Sequence, residues 1–144
     1  MLYIVPTLKV LVLEQNKFKS MAIITEDYVS FEVAKLLRKK GFVIPCDWLY
    51  CSDGTFGHRN SLWDKKMFPA PTQSMVMKWL REKYNIYISI QPDFPSDKDY
   101  KMCWCWSANI LHENCISLKG YQCYIETYEE ACEAAILYCL TNLI

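Results

Sequence analysis

The stretch Met102-Cys103-Trp104-Cys105-Trp106 constrains the fold of this chain more than any other. Strand side chains alternate between two faces. Met102, Trp104, Trp106 and Ala108 therefore share one face, and Lys101, Cys103, Cys105 and Ser107 the other. Two tryptophans on one face form either the centre of a hydrophobic core or a stacking platform for a flat ligand. The alternation alone leaves both readings open.

The segments around this strand carry helix signals. Ser30 to Lys40 reads as a helix, with Ser30 as N-cap, Gly41 at the C′ position and Val33, Leu36 and Leu37 as its apolar stripe. Arg38, Lys39 and Lys40 stand at its C-terminal end, where the helix dipole favours cations. Pro71-Thr72 opens a second helix, with Val76, Trp79, Leu80 and Tyr84 on the buried side and Asn85 at the end. Thr127 to Leu143 is the clearest helix. Thr127 and Glu130 make a capping box, and Ala131, Cys132, Ala135, Cys139 and Leu143 form a small-residue stripe suited to lying close on a sheet.

Between the helices lie strand signals. Asp47 to Cys51 and the residues from Phe56 flank the turn Ser52-Asp53-Gly54-Thr55, a hairpin pattern. Residues 57–70 read as loop. Ile86 to Ile90, Tyr100 to Ile110 and Tyr121 to Ile125 read as three more strands, with Gln91 to Asp99 as a loop. The order is helix, hairpin, helix, three strands, helix. Short connections favour antiparallel neighbours. The expected fold is α+β: a single antiparallel sheet of about 4–5 strands with helices packed on one face. Residues 1–20 stand apart as an N-terminal extension, and 21–144 form a single domain.

Eight cysteines stand at 46, 51, 103, 105, 115, 123, 132 and 139. The chain is not small enough to need staples, and no cleavable signal peptide is visible. The cysteines are therefore expected to be reduced and mostly buried, where a free thiol behaves as a small hydrophobe. Met1 to Leu13 is apolar, but it is interrupted by Pro6 and Lys9 and is shorter than the roughly twenty residues of a membrane span. The expectation is a cytoplasmic protein with no membrane partner.

The residues Tyr28-Val-Ser-Phe-Glu-Val-Ala-Lys-Leu-Leu-Arg-Lys-Lys-Gly-Phe42, Ala70-Pro-Thr, Lys78-Trp-Leu-Arg-Glu82 and Glu126-Thr-Tyr-Glu-Glu-Ala-Cys-Glu-Ala-Ala-Ile136 resemble a family of short proteins encoded by phages and mobile elements of gut bacteria. The resemblance covers the three helices, about a third of the chain. It rests on caps and core faces and brings no catalytic residues. It implies a setting, since small phage accessory proteins bind and block host components, defence signals among them. The localisation it implies is the host cell cytoplasm.

Candidate chemistry is sparse. The chain has two histidines, and no glycine-rich phosphate loop, G-x-S-x-G elbow or H-E-x-x-H occurs. A Cys51–His58 nucleophilic pair is conceivable, but Cys–His pairs are easy to invent among eight cysteines. Cys103, Cys105, His112 and Cys115 offer a zinc ligand set, yet strand residues at i and i+2 stand roughly 7 Å apart, wide for two sulfurs on one metal. Asp97 and Asp99 form a D-x-D whose plainer role is a solvated turn. No metal, no cofactor and no catalytic activity are expected.

The richest binding candidate runs from Trp48 to Phe68. Trp48, Tyr50, Phe56, Trp63 and Phe68 alternate with His58, Arg59, Lys65 and Lys66. Flat aromatics stack bases, and cations pair with phosphate. The plainer reading is a loop whose aromatics cover a sheet edge. The leading expectation is a non-catalytic protein that sequesters a small phosphorylated aromatic ligand, such as a nucleotide immune signal. Trp63 or Trp48, or an open Trp104/Trp106 face, would stack the base, Arg59, Lys65 and Lys66 would hold phosphate, and Tyr50 and His58 complete the expected ligand-binding set. The alternative is an inhibitor of a host protein, acting through an apolar surface patch. A homo-oligomer is compatible with either. A third reading is a nucleic-acid-binding αβββα module. It conflicts with Glu129, Glu130 and Glu133 at the start of the last helix and with a net charge of zero.

Overall fold

The computed structural model describes residues 27–61, 66–95 and 101–144. Among them the chain forms helix α1 (Phe31–Lys39), strands β1 (Trp48–Tyr50), β2 (Phe56–His58) and β3 (Phe68–Pro69), helix α2 (Gln73–Tyr84), strands β4 (Ile86–Asp93), β5 (Cys103–Leu111) and β6 (Ile116–Ile125), and helix α3 (Tyr128–Asn142). The N-terminal extension expected over 1–20 lies outside the described residues, as do Trp63, Lys65, Asp97 and Asp99.

The helix termini follow the capping chemistry of the sequence. Ser30 accepts from the Val33 N–H, Thr72 from Met75 and Thr127 from Glu130, and the Glu130 carboxylate returns a bond to the Thr127 N–H. Gly41 follows α1 at φ 81°, and Asn85 ends α2 in the left-handed region at φ 55°. These are the conformations that glycine and asparagine tolerate best.

The strands do not join one sheet. They form two three-stranded antiparallel sheets, ordered β2-β1-β3 and β4-β5-β6. This corrects the expected single sheet of 4–5 strands; the α+β class stands. Strand length explains the split. β1, β2 and β3 hold three, three and two residues. Phe68-Pro69 closes this small sheet on its far edge, where a proline's missing N–H does no harm. Helix α2 then separates it from the longer sheet.

Among the described residues the longer sheet has helices on one side only. Its β5 pairs with β4 over Ile86↔Ile110 to Asp93↔Cys103, and with β6 over Trp104↔Ile125 to Leu111↔Ile116. Trp106 and Ala108 face α3, at 4% and 0% exposure. Ala131, Ala135 and Cys139, all fully buried, let α3 lie close on the strands. Leu80 of α2, Ile86, Ile136 and Leu140 complete this core. The tryptophan face is thus the centre of the core. The stacking platform expected at Trp104/Trp106 is not open: Trp106 donates its indole N–H to Gln122 at 3.2 Å and leans on Tyr138, and half-buried Trp104 meets Tyr128 edge-on.

Glu133 ties the helices together. Its carboxylate accepts from the Ser30 N–H at 2.9 Å, at the N-cap of α1, and from the Gln73 amide at 3.3 Å, in the first turn of α2. Gln73 is 8% exposed and also donates to the Glu129 carbonyl. A glutamate near the positive end of its own helix thus also serves the start of two others.

Candidate binding face

Register decides which expected site residues meet. Trp48 pairs with His58 and Tyr50 with Phe56, so all four share one face of the small sheet, where Phe68 also falls as the partner of Tyr50. Trp48 and Phe56 stack at 5.0 Å with a 10° interplanar angle, and His58 meets Trp48 edge-on. Tyr28 tilts against both Trp48 and Phe56. Phe31 of α1 packs on Tyr50 and Phe68. The Tyr50 hydroxyl donates to the Val29 carbonyl at 2.8 Å, and burial raises its pKa, with a smaller push from Glu133. These rings are partners of one another.

The described cations of this segment are engaged too. Arg59 donates from Nη2 to the Cys46 carbonyl at 2.9 Å, and its N–H bonds the Asp47 carbonyl at 2.7 Å. Lys66 stands 5.6 Å from the centre of the Phe68 ring. His58 accepts on Nδ1 from the Asn60 N–H. Arg59 is therefore a strut between the β1 entry and the turn after β2, which is a structural use of a residue expected to hold phosphate.

The Cys51–His58 pair does not assemble. His58 lies on the Trp48 side of its sheet, whereas buried Cys51 follows the parity of Leu49 on the other. The four-residue zinc set is also dispersed. Cys105 lies near the start of β5, and His112 and Cys115 close the hairpin at its far end, about 23 Å away at the usual strand rise. At that end Asn85, Leu111, His112, Glu113, Asn114 and Cys115 line a shallow depression of about 540 Å³.

A different surface emerges on the second face of the β4-β5-β6 sheet, opposite α3. Pairing puts its residues in rows across the strands: Leu111 with Ile116, Tyr87 with Asn109 and Leu118, Ser89 with Ser107 and Tyr121, Gln91 with Cys105, and Asp93 with Cys103. At the hairpin end the rows are open and apolar, with Tyr87, Leu111, Ile116, Leu118 and Tyr121 exposed at 39% to 68%. Between them Asn109 donates to the Ser107 hydroxyl. At the other end lie cysteines and a carboxylate.

Two bulges in β6 shape that end. The register shifts between Trp104 and Trp106 and again between Ala108 and Asn109. At the first shift Cys123 and Tyr124 stand against Cys105 alone, and Tyr124 takes φ 63°. Cys123 thereby reaches Cys105, and the two are joined as a disulfide. This corrects the expectation that all the cysteines are reduced; Cys46, Cys51, Cys103, Cys115, Cys132 and Cys139 take no part in that disulfide. Asp93 points a carboxylate oxygen at Cys105, 3.7 Å from its sulfur. Tyr121 places its hydroxyl 2.7 Å from the Cys123 sulfur.

Sequence reasoning missed this face. A signal existed in Ile116, Leu118, Tyr121 and Cys123, which alternate with polar residues except for one extra residue, Lys119. The bulge breaks the period of two and hides the strand's first half.

In comparisons with protein-family models, with curated proteins and with solved structures, nothing matches this chain. Among the described residues no helix is long and apolar enough to cross a membrane.

Proposed function

We propose that this chain is a non-catalytic binding module that engages a partner protein through the second face of its β4-β5-β6 sheet. The observation that carries this reading is the row of exposed apolar and aromatic side chains, Tyr87, Leu111, Ile116, Leu118 and Tyr121, spread over all three strands. Such a patch bordered by Ser89, Gln91, Ser107 and Asn109 has the anatomy of an interface, an apolar centre with a polar rim. Tyrosine suits this role because a flat ring and a hydroxyl reach both kinds of partner group at low entropic cost. The resemblance to phage-encoded proteins makes a host protein the partner class.

The small-ligand reading has less support. It needs rings with free faces and free cations, whereas Trp48 stacks on Phe56 and Arg59 bonds the Cys46 carbonyl.

The test is affinity capture from a lysate of the host with three baits: wild type, Leu118→Asp/Tyr121→Asp, and Trp48→Ala. A protein recovered stoichiometrically by wild type and Trp48→Ala, and lost with the sheet-face variant at unchanged circular dichroism, supports the reading. Equal recovery by the sheet-face variant rejects it. A small molecule in the native mass spectrum that Trp48→Ala abolishes would restore the ligand alternative.

A further inference from the structure

We propose that Asp93, Cys105 and Cys123 form a site for one thiophilic divalent cation, zinc in its chemistry, that opens when the Cys105–Cys123 disulfide is reduced. One candidate ligand atom from each of the three residues lies within 4.8 Å of the other two. No residue of this set is a neighbour of another in sequence; β4, β5 and β6 each supply one. This inference goes beyond the proposed protein-binding role and does not depend on it.

The geometry fits a tetrahedral ion. Zinc–sulfur bonds of about 2.3 Å and zinc–oxygen bonds of about 2.1 Å imply a sulfur–oxygen edge of about 3.6 Å and a sulfur–sulfur edge of about 3.8 Å. The Asp93 Oδ2 to Cys105 Sγ separation is already 3.7 Å. The two sulfurs come from facing strands, so freeing them from each other lets side-chain rotation set the remaining edge while the backbone pairing is kept. This removes the objection to a C-x-C pair along one strand, because the second sulfur comes from across the sheet.

The outer shell is also present. The Tyr121 hydroxyl, 2.7 Å from the Cys123 sulfur, donates to it as a disulfide and would donate equally to a thiolate. A third cysteine, Cys103, sits one row away with its sulfur 3.8 Å from the Asp93 carbonyl oxygen. Cys105 and Cys103 are buried, and Asp93 and Cys123 are half-buried, so the ion would be shielded on the sheet side. Three protein ligands leave the fourth position for water.

The redox step balances with a low-molecular-weight thiol as reductant. Two such thiols supply two electrons and two protons, the Cys105–Cys123 bond breaks to two thiols, and the reductant leaves as its own disulfide. The cation then displaces both thiol protons, so binding releases protons and weakens as pH falls. Disulfide and metal site exclude each other, since a sulfur bonded to sulfur is no thiolate.

The experiment is titration of the full chain with cobalt(II), reduced and oxidised, followed by zinc displacement. Expected are one equivalent bound by the reduced protein only, visible bands of tetrahedral cobalt, a thiolate charge-transfer band, and loss of both on adding zinc. Asp93→Asn should weaken cobalt binding about tenfold or more, Cys123→Ser should at least halve the charge-transfer band because one of the two thiolates is lost, and Cys115→Ser should change nothing. Circular dichroism checks that each variant is folded, and Asp93→Asn supplies the answer if Cys123→Ser does not fold. No band in the reduced protein, an undiminished band in Cys123→Ser, or equal affinity in Asp93→Asn overturns the proposal.

Discussion

Tyr138 of α3 lies so close over Gly120 of β6 that a Cβ at Gly120 would stand 2.4 Å from its ring carbon Cε1. The same ring tilts on Trp106 at 5.1 Å, and its hydroxyl donates to the carbonyl of Lys119, the extra residue of the second bulge. Glycine is thus required here by close approach, since Gly120 is not among the residues with positive φ. Gly120→Ala should cost about 1–3 kcal/mol, the usual range for overpacking a fitted contact. Urea denaturation measures it. Gly120→Ala/Tyr138→Leu should be less destabilised than the sum of the two single changes, because the smaller side chain removes the clash.

Glu133 should be the most costly surface-accessible charge to remove. Glu133→Ala leaves the Ser30 N–H and the Gln73 amide without their acceptor. A loss of about 1–3 kcal/mol is expected, as for other polar groups deprived of a partner near a core. A melt that moves no more than that of Glu82→Ala, whose exposed carboxylate lies 3.7 Å from the Lys78 ammonium, would contradict this.

Arg59 should behave as a structural residue. Its guanidinium bonds the Cys46 carbonyl, so Arg59→Ala should lower stability by about 1 kcal/mol, discounted for its exposure. Arg59→Lys should recover little, because an ammonium cannot reproduce the planar donor geometry. Thermal melts of the two variants decide this. Unchanged melts would free the side chain for phosphate.

The parts legible in the sequence were those with local chemistry. Ser30, Thr72 and Thr127 announce their helices because a cap is a bond between near neighbours, and the Asp53-Gly54 turn marks the first hairpin for the same reason. The alternation of Trp104 and Trp106 locates β5, but only the packing of α3 says which face is core. What was hidden depends on long-range register. Phe68-Pro69 is too short to have a period. β6 loses its period at Lys119. Cys123 comes to Cys105 only through the bulge at Tyr124, 18 residues along the chain. The candidate face is made of such pairings, so its residues carry little local signal.

The buried thiols make stability fall in alkali. Burial pushes Cys139 up to about 12, and burial also raises Cys132 to about 11, opposed by a hydrogen bond from Tyr128 and aided by Glu129, Asp27 and Glu133, against an ordinary value of 9.0. Both folded-state values are raised, so the folded chain keeps protons that the unfolded chain gives up near pH 9. Below pH 9 the full contribution is present. Between pH 9 and about 11 for Cys132, and about 12 for Cys139, it is lost, by up to about 1.4 kcal/mol per pH unit for each thiol. Burial raises Tyr50 and Tyr128 in the same sense from 10.0, which steepens the fall above pH 10. Urea midpoints under reductant should therefore change little from pH 7 to 8.5 and drop steeply by pH 10.5. Cys132→Ala/Cys139→Ala should be weaker at pH 7 and show a shallower fall above pH 9. Iodoacetamide at pH 8 should label exposed Cys115 first and reach Cys132 and Cys139 only on unfolding. Early labelling of either helix thiol would mean that α3 lifts from the sheet in the folded protein.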